Sequence, residues 1–123
     1  MVIFKERDAL ITNAVRSVSA QTQRPLELLI FDNNPQAEGR ACLLQSIAKL
    51  TKRKPAYDFL YISSQVNIGF AKAHNTLIRK SRGDFILFLN ADACLDAYYI
   101  ERAIVVFAKN AQIAALQPII YRM

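Results

Sequence analysis

The sequence has little glycine, no tryptophan and only two cysteines in 123 residues. Three glycines leave no G-x-G-x-x-G fingerprint and no G-x-x-x-x-G-K-[ST] loop, which excludes the common glycine-rich nucleotide-binding motifs. Cys42 and Cys94 lack C-x-x-C spacing and His74 is the only histidine, so neither a disulfide scaffold nor a structural zinc site is expected. A reducing, cytoplasmic compartment is the expectation from this cysteine usage.

Long apolar runs are also missing, and no stretch approaches the roughly 20 residues of a membrane span. The charged segment 5–8 is unlike a signal peptide. The composition, with 53% hydrophobic and 21% charged residues, instead predicts one globular domain over residues 1–123. A net charge of +6 favours an anionic partner such as a nucleic acid, a phosphorylated metabolite or a lipid headgroup surface.

Apolar residues alternate between short runs and helical spacing, which predicts an α/β fold with a mostly parallel sheet flanked by helices. The predicted helices cover 8–20, 39–50, 70–80 and 96–109, and the predicted strands 2–4, 26–31, 58–62, 84–89 and 113–121. Two local signals support these bounds. Gly83 suits a left-handed cap after the third helix, and Asp96 suits the N-cap of the fourth.

Polar side chains follow three of the predicted strands, in the strings Asp32-Asn33-Asn34, Asn67 to Gly69 and Asn90-Ala91-Asp92. Ligands of parallel sheets bind at the carboxyl ends of the strands, so we expect these side chains at one edge. A carboxylate such as Asp32 can accept hydrogen bonds from a nucleobase or a ribose hydroxyl. Asp92 offers one carboxylate to a hard divalent cation, whose other positions phosphates and water would fill.

Four collinear segments, at 17–22, 28–34, 67–75 and 83–92, resemble the inverting family 2 glycosyltransferases of the GT-A fold, in a rhamnosyltransferase-like form. The resemblance covers nearly the whole chain. It implies a domain that binds a nucleotide-diphosphate sugar, with Asp32 near the base or ribose. It also implies that Asp92, the last residue of the family's D-x-D motif, holds Mn²⁺ or Mg²⁺ against the diphosphate. The implied nucleotide-sugar site comprises Asp32, Asn34, Asn67, Gly69, Asn75, Asn90 and Asp92.

The sequence departs from the family pattern at two places. Asn90 stands at the first D-x-D position, which leaves one carboxylate for the metal. Phe4, Lys5, Glu6 and Arg7 replace the expected Pro-Thr-Tyr-Asn, so the base-binding loop is altered.

Family members continue beyond the point that corresponds to Met123, and that part supplies the acceptor site and the catalytic base. We therefore expect a C-terminally incomplete, donor-binding portion of a glycosyltransferase. Its catalytic base is unknown.

The resemblance implies a glycan or lipid-linked acceptor, no nucleic acid, and a cytoplasmic location with peripheral association at the inner face of the membrane. Two alternatives remain open: a non-catalytic nucleotide-binding module, and a basic α/β domain that binds RNA or an acidic surface. Single residues also have local interpretations. Asp32 and Asp92 suit turns, Asn67 and Asn75 suit local hydrogen bonds, and His74 suits a semi-buried helix position.

Overall fold

The computed structural model describes residues 1–23, 25, 27–34, 40–52 and 56–121. These residues form a parallel sheet of order β1-β2-β3 with four helices. The strands are β1 (Val2–Ile3), β2 (Glu27–Asp32) and β3 (Asp58–Ser63), and the helices are α1 (Asp8–Ser19), α2 (Ala41–Thr51), α3 (Phe70–Ile78) and α4 (Tyr99–Lys109). The predicted α/β class and the parallel sheet are confirmed.

The central strand β2 separates two hydrophobic clusters, because successive side chains of a strand point to opposite faces of the sheet. Leu28 and Ile30 are buried in the cluster that includes residues of α1 and α2. Phe31 belongs to the cluster on the other face, which includes Ala73 and Leu77 of α3. The sheet is therefore covered on both sides where β2 lies.

Parallel pairing brings the carboxyl ends of the strands to one edge. Asp32 at the end of β2 is in register with Ile3 of β1 and with Ser63 of β3. The loops that follow these strands therefore begin side by side, as the turn residues at the strand exits predicted.

The predicted helix and strand bounds in the first two thirds of the chain agree with the structure within about two residues. Helix α1 buries Ile11, Ala14, Val15 and Val18, which recur at helical spacing. Helix α2 buries Leu43 and Ile47 in the same way. Leu26 and Gly39, where a strand and a helix were expected to begin, lie outside the described residues.

The strand predicted over 84–89 is wrong. This segment has no strand pairing, and Phe85, Ile86, Leu87 and Phe88 are all exposed. A strand needs a neighbouring edge to satisfy its backbone and a layer on each face to cover its side chains. The sheet has two outer strands, the two-residue β1 and the six-residue β3, and the segment 84–89 pairs with neither of them.

Three further local predictions for this part of the chain are also wrong. Among the described residues only Gly69 has a positive φ, so Gly83 is not a left-handed cap. Helix α3 instead ends with hydrogen bonds from the backbone N–H groups of Arg79 and Lys80 to carbonyls of its last turn. Asp96 precedes the true N-cap, Tyr98, and its carboxylate accepts the Tyr98 N–H at 3.0 Å. Residues 113–121 form no strand.

Helix α4 forms where a helix was predicted, but none of its residues is buried. Its main ring contact is between Phe107 and Phe85, whose ring centroids lie 4.9 Å apart. The described residues contain no helix that is both long and apolar enough to cross a membrane.

Candidate functional site

The carboxylate of Asp32 lies at the end of β2 and is fully buried. Its Oδ1 accepts the backbone N–H of Asn34 at 3.1 Å. Its Oδ2 accepts the Tyr61 hydroxyl at 2.8 Å and Nε of Arg40 at 3.2 Å. The chain itself therefore supplies donors to both oxygens of Asp32.

Tyr61 acts as a fixed donor in this network. Burial raises the pKa of the Tyr61 hydroxyl well above its ordinary value, and the hydrogen bond to Asp32 raises it further. The hydroxyl therefore stays protonated at neutral pH and donates to Asp32. The strand register explains the contact, because Tyr61 on β3 pairs with Ile30, which lies two residues before Asp32 on the same face of β2.

The Arg40 guanidinium joins Asp32 to the loop between β1 and α1. Besides the Asp32 bond, Nη1 binds the Asp8 carboxylate and donates to the Glu6 carbonyl at 3.4 Å. Nη2 donates to the Phe4 carbonyl at 3.5 Å. The loop that departs from the family pattern is thus the loop that Arg40 contacts.

The neighbouring side chain, Asn33, connects the end of β2 to the loop before α3. Its Oδ1 accepts the N–H of Ile68 at 2.9 Å, and its Nδ2 donates to Oδ1 of Asn67 at 2.7 Å. Its own backbone N–H donates to the carbonyl of Ile3 in β1 at 2.8 Å. One buried asparagine at the end of β2 therefore holds the loop before α3 through its side chain and β1 through its backbone.

Asn67 and Gly69 shape the start of α3. Oδ1 of Asn67 also accepts the N–H of Gly69, at 2.9 Å. Gly69 is the N-cap of the helix and has a φ of 84°, a left-handed conformation that side chains with a Cβ disfavour. The glycine is therefore required here by the backbone turn that leads into the helix.

A surface groove of about 510 Å³ begins at this loop and continues along α3. Two predicted site residues, Asn67 and Asn75, both line it. Lys72 and Arg79, one turn from Asn75 on either side, add two positive charges, and no acidic residue that the structure describes lines the groove. Neither cation forms an ion pair with another of the residues that the structure describes. The groove therefore suits an anionic ligand with polar groups.

Asn90 and Asp92 lie in a turn apart from these hydrogen bonds. The turn is closed by a bond from the Ala93 N–H to the Asn90 carbonyl at 3.2 Å, and both polar side chains are exposed. Ala91 between them is buried in the core cluster that includes Ile3. Within the described ranges the Asp92 carboxylate makes no hydrogen bond or ion pair.

The described residues contain no group of three or more His, Cys, Asp or Glu side chains that could hold a metal ion. Asp92 is nevertheless compatible with a shared site, because Mg²⁺ is often bound by one or two carboxylates together with substrate phosphates and water. A cation here would depend on a bound phosphate ligand for most of its coordination.

His74 is buried on α3 and does not face the groove. Its ring lies between Phe70 and Phe88, with centroid distances of 4.3 and 5.2 Å. Burial lowers the pKa of His74, and its Nδ1 is 3.2 Å from the Phe70 carbonyl. This is the packing expected of a semi-buried helix residue.

The model of one protein family, described as Glycosyl transferase family 2, matches residues 1–123. The chain belongs to this family. Among curated proteins it is similar to an uncharacterized protein of Haemophilus influenzae, with 30% identity over 93 residues. The match covers 74% of this chain and 48% of that protein, so the chain spans about half the length of the curated relative it matches.

The fold is similar to that in the crystal structure of S. aureus TarS, with a TM-score of 0.67. The superposition covers 88% of this chain and 19% of the TarS chain, at 18% sequence identity. A likeness at this identity concerns the fold, which is of the GT-A type expected from the sequence.

The structure of this family 2 glycosyltransferase chain brings some predicted site residues together and leaves others apart. Asp32 bonds to Asn34, and Asn67 bonds to Gly69 and shares the groove with Asn75. Asn90 and Asp92 share no hydrogen bond with these groups among the described residues.

The predicted site omitted three residues: Asn33, Tyr61 and Arg40. Asn33 had a usable signal, because it stands in one of the polar strings at the strand exits, and so had Tyr61, because it lies near the end of a strand that was predicted to end at the same edge as β2. Arg40 had none, because nothing in the sequence indicates that a residue eight positions after Asp32 contacts its carboxylate.

Proposed function

We propose that this chain is the donor-binding part of a glycosyltransferase that transfers a sugar from a nucleotide diphosphate to an acceptor hydroxyl with inversion. The observation that carries the proposal is the groove of two amides and two cations, joined to the end of β2 by the Asn33–Asn67 hydrogen bond. Its charge complements a diphosphate, and its position at a carboxyl edge is where α/β sheets bind ligands.

The nucleoside is proposed to lie toward Asp32 and Asn34, and the diphosphate and sugar along Asn67, Gly69 and Asn75. The exposed backbone at Gly69 lets a ligand approach the start of α3 closely, since no atom lies within 4 Å of the missing Cβ. Oδ2 of Asp32 already accepts two bonds and Oδ1 one, so a bond from base or ribose to this buried carboxylate is proposed to form at Oδ1.

Asn90 and Asp92 are proposed to approach the diphosphate, with Asp92 holding Mn²⁺ or Mg²⁺. When bound, such an ion stabilises the negative charge that develops on the leaving diphosphate. Asp92 can serve as a ligand without first breaking a contact, because its carboxylate is exposed and unpaired among the described residues.

Inverting transfer also needs a base within hydrogen-bond reach of the acceptor hydroxyl. We assign none in this chain: His74 is buried among aromatic rings, and Asp96 and Glu101 are bonded to Tyr98 and Thr22. We therefore expect the 123-residue chain to bind the donor and to transfer no sugar. The acceptor of the whole protein is proposed to be a glycan or a lipid-linked glycan.

Titration calorimetry with nucleoside diphosphates, in the presence and absence of Mn²⁺, tests the binding proposal. We expect Mn²⁺ to tighten binding by about tenfold or more, equivalent to about 1.4 kcal/mol, and Asp92→Ala to abolish that gain. Asp84→Ala is the matched control, because it removes an exposed carboxylate from the same segment. An equal metal dependence in the wild-type and Asp92→Ala proteins would refute the role of Asp92.

Measurement of donor turnover with a broad panel of acceptors tests the expectation that the chain transfers no sugar. Acceptor-dependent sugar transfer by the 123-residue chain would show that a base is present within it. Binding of RNA in preference to nucleoside diphosphates would instead support a basic interaction domain.

A further inference from the structure

Arg40 contacts three segments of the candidate site, although it is not among the residues implied by the family resemblance. It reaches the end of β2 at Asp32, the start of α1 at Asp8, and the loop between β1 and α1 at the carbonyls of Phe4 and Glu6. We propose that Arg40 is a positioning residue for nucleoside recognition: it holds this loop in place beside Asp32. The proposal rests on the proposed function.

The shape of the guanidinium is essential to this role. Its three nitrogens point in fixed directions within one plane, so one side chain can bind Asp32 through Nε and the loop through Nη1 and Nη2. A lysine would bring the same charge on a single nitrogen, which cannot occupy the three separate positions of Nε, Nη1 and Nη2. The positioning effect should therefore depend on the planar arrangement of the three guanidinium nitrogens and not on charge alone.

Burial makes the contact persistent. The Arg40 side chain is 12% exposed and that of Asp32 is fully buried, so water does not readily compete for the ion pair. The Phe4 N–H also donates to the Glu6 carboxylate at 2.6 Å, which closes the loop on itself. Arg40 thus secures a loop that is already folded locally, and secures it against a buried charge.

The Arg40 contacts and the cationic groove are separate parts of the site. None of the groove's lining residues is bonded to Arg40. The groove is proposed to hold phosphates, whereas the loop borders the end of β2, where the nucleoside is proposed to lie. Loss of the Arg40 guanidinium should therefore weaken the binding of the nucleoside and leave the binding of phosphate unchanged.

The test compares nucleoside diphosphates with inorganic pyrophosphate, both titrated with Mn²⁺ into wild-type and Arg40→Lys protein. We expect Arg40→Lys to weaken the tightest-binding nucleoside diphosphate by about tenfold and pyrophosphate by less than about twofold. Arg16→Lys is the matched control, because Arg16 is an exposed residue of α1 whose one side-chain bond is local. Asp8→Asn removes the far end of the bridge and leaves the buried pair intact, so it should act in the same direction.

Amide hydrogen exchange without ligand gives a second readout. We expect faster exchange over residues 4–8 in Arg40→Lys than in Arg16→Lys. Unchanged nucleoside affinity, or an equal loss for pyrophosphate and nucleoside diphosphate, would overturn the inference while leaving the proposed function intact. A wild-type chain that binds pyrophosphate and no nucleoside diphosphate would overturn both.

Discussion

Replacement of Asn33 by alanine should destabilise the protein, because this side chain joins the end of β2 to the loop before α3. The side chain is 4% exposed and makes two hydrogen bonds, one to the Ile68 N–H and one to Oδ1 of Asn67. Each bond contributes about 1 kcal/mol net to the free energy of unfolding. The Ile68 N–H would be left without an acceptor where water cannot reach it, which adds to the loss. We expect a loss of about 2 kcal/mol in the free energy of unfolding.

Urea denaturation followed by far-ultraviolet circular dichroism is the suitable assay, because the chain has no tryptophan. With a urea m-value of about 1.5 kcal/mol/M for a small domain, the midpoint should fall by about 1.3 M. Asn13→Ala is the control, since Asn13 is exposed on α1 and accepts one bond of 3.3 Å from Arg16. Its midpoint should move by less than about 0.3 M.

An aspartate at position 33 divides the effect into its two bonds. Asn33→Asp keeps an oxygen to accept the Ile68 N–H but can no longer donate to Asn67. We expect about half or more of the alanine effect, because the new carboxylate faces the Asn67 oxygen. If Asn33→Ala unfolds at the same urea concentration as Asn13→Ala, the side-chain amide does not hold the loop before α3 to the end of β2.

Three further outcomes can be checked by the same urea unfolding assay. Gly69→Ala should cost about 1 kcal/mol or more through its backbone conformation alone, because a φ of 84° with a ψ of 157° is essentially confined to glycine while no atom crowds the added Cβ. Gly69→Asn should cost a similar amount, since asparagine tolerates the αL region and not this one. A Gly69→Ala protein as stable as wild type would contradict the left-handed turn. Tyr61→Phe should cost about 1.5 kcal/mol or more, because it removes a bond of 2.8 Å to the buried Asp32 carboxylate, while Tyr121→Phe at an exposed position should change little. The pKa of His74 is lowered by burial, so the unfolded chain binds more protons below a pH of about 6.5, and stability should fall as the pH drops through that value. His74→Gln should flatten this decline, and an unchanged pH dependence would assign it to other groups.

The part of the fold that the sequence predicted well is the part in which each element carries its own pattern. In α1 and α2 the buried residues recur at helical spacing, and β2 and β3 are short apolar runs that end at polar turns. The parallel arrangement followed, because strands that alternate with helices connect by crossovers to the same sheet. These inferences needed no knowledge of distant contacts.

The segment 84–89 shows why the same pattern fails elsewhere. Its apolar run satisfies the local criterion for a buried strand at least as well as β3, in which Asp58 and Leu60 are exposed. Strand formation, however, depends on hydrogen bonding to a partner edge, and this segment pairs with neither outer strand of the sheet, β1 or β3. The exposure of Phe85 and Phe88 follows from the missing neighbour and not from any polar interruption in the segment.

A similar distinction applies to the candidate site. The acidic residue at the end of β2 was identifiable because a carboxylate that ends a buried strand must lie at the sheet edge. Which donors it meets depends on β-strand register for Tyr61 and on a loop path for Arg40. A buried carboxylate requires such donors, since a charge left without partners in the interior costs several kcal/mol. The presence of Asp32 inside the fold therefore implied a cationic or hydroxyl partner, but only the tertiary structure could show that the partner also holds the β1–α1 loop.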